Sequence, residues 1–245
     1  MSEALPHPAL DAILERMSAA AASGRPKARL LAVSKTRPAE AIVRVAEALR
    51  ARQTDGPLAF GENYVQETLA KQPALGGLGI EWHLIGHLQS NKAREAAAAF
   101  DWVQTVDRLK LVEVLARHRT PDRAPLNVLI QVNIDDETSK HGCRPEEVDA
   151  LAAAIAAQPQ LALRGLMAIP APEPDTDRRR SAFRRMRGLF DALASRHPDV
   201  DTLSMGMSED YALAIAEGAT MVRIGSALFG ARAPKTASID VPETP

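Results

Sequence analysis

In the stretch "LLAVSKTRP", residues 30–38, an apolar run stops at a lysine. Leu30 to Val33 read as a buried strand, so Lys35 stands where that strand surfaces. Two chemistries suit an amine in such a place. The ammonium can simply point into water. Alternatively, partial burial beside another cation lowers its pKa, and the neutral amine condenses with an aldehyde or ketone to form a Schiff base. Far along the chain, "LSMGMSED" (203–210) and "VRIGSALFG" (222–230) offer what an anion needs. Ser204, Ser208 and Ser226 bring hydroxyls, while Gly206 and Gly225 let the backbone come close beside helix starts with free N–H groups. Each of these, and Met205 among them, is alone an ordinary turn or cap residue. Two such loops side by side make a phosphate cup. Arg223 sits between Val222 and Ile224 on the opposite side-chain parity, and a buried guanidinium requires a partner, whether a carboxylate or a ligand atom.

Other polar residues gather in "FGENYVQE" (60–67) and "EWHLIGHLQSNK" (81–92), with Glu62, Asn63 and Gln66 foremost. His83 and His87 have the i,i+4 spacing of metal ligands on a helix, yet they fall in a strand and its loop with no third ligand nearby. One packed and one hydrogen-bonded histidine is the expectation, with no metal site. In "NIDDETSKHGC" (133–143), Asp135, Asp136 and Glu137 read as a solvated turn and Lys140 as a loop cation. Cys143 shows no sign of activation and reads as a passive thiol. Arg178 to Arg180, with Arg184, Arg185 and Arg187, read as an exposed helix face.

A repeating pattern must position these groups. Eight short apolar runs, "RLLAVS", "PLAFGE", "EWHLIG", "WVQTVD", "LNVLIQVNI", "LALRGLMAI", "DTLSMG" and "ATMVRI", alternate with amphipathic segments. Ile42, Val45, Ala46 and Leu49 share one helical face after Pro38. Val148, Leu151, Ala152 and Ile155 follow Pro145 and two glutamates, and proline and acids suit a first helical turn. Phe183, Met186, Phe190 and Leu193 mark a helix after the loop "PAPEPDTDRRRS", and a leading helix spans 7–23. Eight alternations predict parallel strands with right-handed crossovers, and their length fits a closed (β/α)8 TIM barrel over residues 1–232. An open doubly wound sheet is the competing α/β arrangement. Residues 233–245 lack periodicity and read as a disordered tail.

Composition narrows the function classes. Of 245 residues, 46% are hydrophobic and 25% charged, with a formal net charge of −1. That allows one sizeable core and argues against a nucleic-acid coat or a polybasic membrane anchor. A single cysteine leaves no internal disulfide and fits a reducing compartment. The N-terminus has no signal-peptide core, and no apolar stretch approaches the roughly 20 residues of a membrane span. A cytoplasmic chain with no nucleic-acid or membrane partner is the expectation. In a closed barrel the last strand lies beside the first, which brings Lys35 next to Arg223 and the cup. Amine, cup and guanidinium then match the aldehyde, phosphate and ring nitrogen of pyridoxal 5′-phosphate. A Schiff-base aldolase would use the same lysine and cup, so the fold leaves both open.

Seven blocks, "AVSKTRP", "FGENYVQE", "WHLIGHLQSNK", "SKHGC", "GLMAI", "LSMGMSEDY" and "VRIGSALFG", resemble in order the signature blocks of the YggS/PROSC family of pyridoxal phosphate homeostasis proteins. The resemblance runs from about residue 30 to 231. It implies a barrel similar to the N-terminal domain of alanine racemase, with the cofactor at its mouth. It places the Schiff base on Lys35 and phosphate contacts on Ser204, Gly225 and Ser226, with Met205 and Gly206 in the same loop. It also places Arg223 against the pyridine nitrogen and Asn63 beside the cofactor. "WVQTVDR" departs from the pattern, with Gln104 and Thr105 where a serine-rich version is expected.

The resemblance implies a binding protein that holds the cofactor as a Lys35 aldimine and buffers or delivers it, apo-enzymes being candidate recipients, without established turnover; a monomer is the expectation because the racemases' dimer-forming domain has no counterpart in the blocks. Physical reasoning agrees. Guanidinium cannot accept a proton, so the ring nitrogen beside it stays unprotonated and is a poorer electron sink. The alternative is a racemase-like enzyme. Racemases of that type carry a second, mostly β domain that contributes a tyrosine base, whereas here the blocks end near the chain's end and only Tyr64 and Tyr211 exist. Tyr64 follows Asn63 and keeps an acid–base role open.

Overall fold

Each apolar run forms a strand that pairs in parallel with the next: β1 (Arg29–Val33), β2 (Leu58–Glu62), β3 (Ile80–Leu84), β4 (Trp102–Val106), β5 (Leu126–Gln131), β6 (Leu161–Met167), β7 (Thr202–Ser204) and β8 (Met221–Ile224). β8 returns to β1, with Arg223 opposite Leu31 and Ile224 opposite Ala32, and the sheet closes into a barrel. This computed structural model describes residues 6–21, 27–52, 54, 56–135, 141–170 and 173–230. The expectations for Asp136, Glu137, Lys140 and the tail 233–245 lie outside the described residues.

Parallel neighbours need crossovers. These are α2 (Ala39–Ala51), α3 (Val65–Leu75), α4 (Ala93–Ala99), α5 (Leu109–His118), α6 (Val148–Ala156), α7 (Thr176–Ala194) and α8 (Tyr211–Ala216); the short α9 (Ser226–Phe229) follows β8. Ahead of the barrel, α1 (Pro8–Ala20) packs against α8 and α9. It is shorter than the 7–23 read from periodicity, because Ala21 turns extended (φ −68°, ψ 123°). α7 begins inside the stretch read as loop. Asp175 caps it, its carboxylate accepting from the N–H groups of Asp177 and Arg178 at 2.8 and 3.3 Å. The arginine run therefore lies on α7, and it is more than a solvated face. Arg180 and Arg184 share Glu217, and Arg185 reaches Asp135 beyond β5.

Strand alternation sends one set of side chains toward the helices, where the large apolar core lies. The inward set forms two small apolar groups, Leu31, Val33, Ala59, Ile85 and Met221 in one and Trp102, Leu129 and Met167 in the other. The remaining inward positions include a hydrogen-bonded chain with a single consistent direction. Glu81 accepts from His83 Nε2 at 2.8 Å, so His83 Nδ1 accepts from Gln104 Nε2 at 2.9 Å. Gln104 Oε1 accepts from the Ser204 hydroxyl at 2.7 Å, and that oxygen accepts from Arg223 at 2.8 Å. Burial holds the His83 imidazole below its ordinary range, so it is neutral at neutral pH. The charge on Glu81 is balanced instead by Arg29, 2.9 Å away. Although burial opposes ionisation, the hydrogen bond from His83 and the charge and hydrogen bond of Arg29 hold the Glu81 carboxyl below its ordinary range.

Two outcomes follow. Gln104→Leu leaves the Ser204 hydroxyl proton without an acceptor and His83 Nδ1 without a donor, both buried, at a cost on the order of 2–4 kcal/mol. Urea unfolding measures it, and a loss under about 1 kcal/mol would be too small for a connected chain. Second, the folded protein leaves His83 unprotonated where an unfolded imidazole takes up a proton. Stability therefore drains as pH falls below about 6.5. Glu81 adds its loss lower, as pH falls below about 4.5. His83→Gln should flatten the upper limb of stability against pH; an unchanged limb contradicts the assignment.

Candidate functional site

The carboxyl ends of the strands gather most of the expected residues. Lys35 continues the inward parity of Leu31 and Val33 and is half-buried at the top of β1. Its turn is held from outside the barrel. Ser34 is fully buried; its N–H donates to Gly61 O at 2.9 Å and its hydroxyl to Glu62 at 2.7 Å. From α3, Lys71 donates to Ser34 O at 3.0 Å, to Glu62 at 2.9 Å and to Glu67 at 2.5 Å. Glu67 also accepts the Thr36 N–H at 2.5 Å. Thr36 has φ 61°, an uncommon value for a β-branched residue, so this anchor holds a turn that would otherwise relax. Burial pushes the Glu62 carboxyl up, against the pull of Ser34 and Lys71, and its second oxygen has no partner among the described residues. On the other flank Arg37 donates to Gly230 O and lies 5.8 Å from the Phe229 ring, tying this turn to the end of α9.

The two glycine–serine loops face the same place. Gly206 has φ 91°, and a Cβ there would lie 2.5 Å from that of Ala214, so only glycine fits. At Gly225 a Cβ would lie 3.2 Å from Val33 O, which sets the second loop directly against the strand that leads to Lys35. The N–H groups of Gly206 and Gly225 donate to no backbone acceptor among the described residues. Ser226 is exposed and opens α9. Asp210 fixes the first loop by accepting the Met207 N–H at 2.7 Å. Met205 is buried with its N–H given to Met221 O at 3.2 Å, so it shapes the loop without offering a donor.

Ser204 departs from expectation. It is fully buried beneath the mouth, and its hydroxyl donates to Gln104 while accepting from Arg223. It has no free proton for a phosphate; what it holds is Arg223. That guanidinium is 3% exposed and donates to Ser204 O, Ser204 Oγ and Ala168 O, each at 2.8 Å. The carboxylate partner that sequence reasoning allowed is not found: among the described residues Arg223 makes no ion pair. Burial pushes it down to about 10, with distant Asp210 pulling the other way, so the cation persists at neutral pH. Asn63 is half-buried, and its amide has no partner among the described residues. Gly86 makes room for it, since a Cβ there would lie 2.1 Å from Asn63 O. Tyr64 beside it is 61% exposed.

Sequence reasoning missed the Glu62–Lys71–Glu67 support, which only the i,i+4 spacing of Glu67 and Lys71 hints at. It also gave no weight to Gln104 and Thr105. Gln104 is the middle of the interior chain, and the Thr105 hydroxyl donates to Gly86 O at 2.9 Å. A polar residue at inward parity in "WVQTV" was the available signal. His83 and His87 are not partners: His83 is interior, whereas His87 is exposed and stacks on His141.

Residues 9–233 match the family model described as the N-terminal domain of alanine racemase. The pyridoxal phosphate homeostasis protein of Escherichia coli is 55% identical over 206 residues, covering 83% of this chain and 85% of that one. The protein of the same name from Pseudomonas aeruginosa is 52% identical over 216 residues, 87% of this chain and 90% of its own. PipY of Synechococcus elongatus, solved with PLP bound, superimposes with a TM-score of 0.73 at 37% identity over 89% of this chain and 100% of PipY. Alanine racemase from Clostridium difficile, at 15% identity and a TM-score of 0.66, shares the fold over 94% of this chain and 59% of its own. A closed barrel with these mouth residues, matched at this identity over this length, makes the chain a member of the family of pyridoxal phosphate homeostasis proteins.

Proposed function

We propose that this chain binds pyridoxal 5′-phosphate at the barrel mouth and serves as a carrier that buffers or delivers it. The observation that carries the reading is Arg223, a buried cation with only neutral acceptors, set beneath open backbone N–H groups and beside the Lys35 turn. An acceptor-rich, anionic ligand suits that donor set, and the names of the relatives point to the same cofactor. The cofactor supplies an aldehyde, which condenses reversibly with amines. Lys35 provides the amine. The N–H groups of Gly206, Gly225 and Ser226, with the Ser226 hydroxyl, bind the phosphate, while Met205 and Ser204 hold that loop and Arg223 in place. Arg223 donates to the pyridine nitrogen, and Asn63 flanks the ring.

Since guanidinium has no lone pair to take a proton, the ring nitrogen stays unprotonated, which favours holding over carbanion chemistry. Tyr64, Ile169 and Met207 leave apolar surface exposed at the strand ends, which suits transfer to a recipient enzyme. One observation favours a racemase-like alternative: the phenol of Tyr64 is exposed next to Asn63. Solvent deuterium entering the α-position of an amino acid at turnover rates would select that reading. No helix among the described residues is long and apolar enough to cross a membrane. The one thiol, Cys143, is buried and pushed up to about 12, an inert form consistent with a reducing cytoplasm.

Borohydride reduction of the cofactor-loaded protein should leave a phosphopyridoxyl group on the peptide containing Lys35, read by mass spectrometry, and Lys35→Ala should take none there. An adduct retained in Lys35→Ala, or a wild-type protein that takes up no cofactor, overturns the reading. Glu67→Ala removes the acceptor that Thr36 and Lys71 share, so cofactor affinity should fall at least about tenfold, the lower end of the ~1.5–3 kcal/mol of one charge-assisted bond, with the fold kept. Unchanged affinity would mean that the α3 anchor does not position Lys35.

A further inference from the structure

We propose that His87, Asp107 and His141 form a site for one divalent transition-metal ion of the zinc class at the barrel mouth. Each offers one ligand atom, and the three atoms lie within 4.8 Å of one another. The residues come from the loops after β3, β4 and β5, away from the loops of β7 and β8 that make the phosphate cup. Two imidazole nitrogens and one carboxylate oxygen form a borderline donor set that favours zinc, cobalt or nickel over magnesium or calcium. Tetrahedral bonds of about 2.0–2.2 Å place ligand atoms roughly 3.4 Å apart. Closing from 4.8 Å takes a modest swing of the side chains.

The backbone beneath each ligand is pinned. Thr105 donates to the carbonyl of Gly86, just before His87, at 2.9 Å, and Arg108 donates to that of Leu88, just after it, at 2.9 Å. Arg108 also holds Asp107 Oδ1 at 2.5 Å. A carboxylate has two oxygens, so the second remains for an ion. The carbonyl of His141 accepts from Gln131 at 3.2 Å, and the nearby Cys143 N–H donates to Gln131 O at 2.9 Å, joining this loop to β5. The His87 and His141 rings stack with centroids 3.7 Å apart and planes 13° from parallel. An imidazole lone pair lies in its ring plane, so two stacked rings cannot both aim at one ion. Binding must fan them apart about χ2, which exposed rings can do. Three protein ligands leave a fourth position for water or an exchangeable ligand.

The test is titration of the full-length, untagged protein with Zn2+ by calorimetry, and with Co2+ by visible absorption, with Mg2+ alongside. One equivalent of Zn2+ or Co2+ and no Mg2+ is expected. His87→Ala, Asp107→Asn and His141→Ala should each weaken binding at least about tenfold, since even the partners of a ligand are worth that much. His118→Ala and His197→Ala, at histidines away from the cluster, should leave affinity unchanged. Lys35→Ala should take up the same equivalent, which separates a protein site from metal chelated by bound cofactor. No uptake, uptake indifferent to His87→Ala and His141→Ala, or uptake lost in Lys35→Ala would each overturn the proposal.

Discussion

A guanidinium enclosed in a parallel barrel has no water to solvate it, so the protein must supply acceptors, and much of this interior is arranged to do so. Arg223 takes the carbonyls ending β6 and β7 and the Ser204 hydroxyl. That hydroxyl is aimed by Gln104 on β4, which is aimed by His83 on β3, which is aimed by Glu81. One cation thus links side chains on four of the strands, β3, β4, β7 and β8. An isolated buried charge is costly, and neutral acceptors offset only part of that cost. What remains is a positive charge without an ion pair among the described residues, held beneath the mouth.

The mouth is braced twice. Inside, the chain below Arg223 sets the floor. Outside, α3 reaches over β1 and β2 through Lys71, which clamps the Lys35 turn to Glu62 and Glu67. The two braces belong to opposite side-chain parities of the same sheet, and they meet at the first strand. A backbone in the unusual Thr36 conformation is tolerable because the surrounding bonds over-determine it.

Much of this is legible in the sequence, for a definite reason. A strand end in a parallel barrel is a short-range feature: Lys35, Gly206, Gly225 and Ser226 each follow an apolar run directly, and the period of the runs closes the sheet. Arg223 is legible from parity alone. Ser204 was misread because being at a strand end does not say whether a hydroxyl looks up to the mouth or down to the interior; its inward parity and the neighbouring Arg223 decide that. Lys71 escaped because the register of α3 over β1 comes from packing, which leaves no local mark. The start of α7 hid in a proline-rich stretch whose one signal was the Asp175 cap. His87 was compared with its sequence neighbour His83, whereas its partners stand in two other loops.

The direction of the interior chain has a consequence for charge. Every link from Arg223 to Glu81 donates the same way, and at its centre stands an amide, which passes a proton only through a disfavoured imidic form. The column therefore behaves as an insulator. The negative charge at its lower end belongs to Arg29, the positive charge at its upper end belongs to the mouth, and the two titrate as strangers. Evolution of the lower rim can retune the acid tolerance of the fold while leaving the electrical character of the opening as it was.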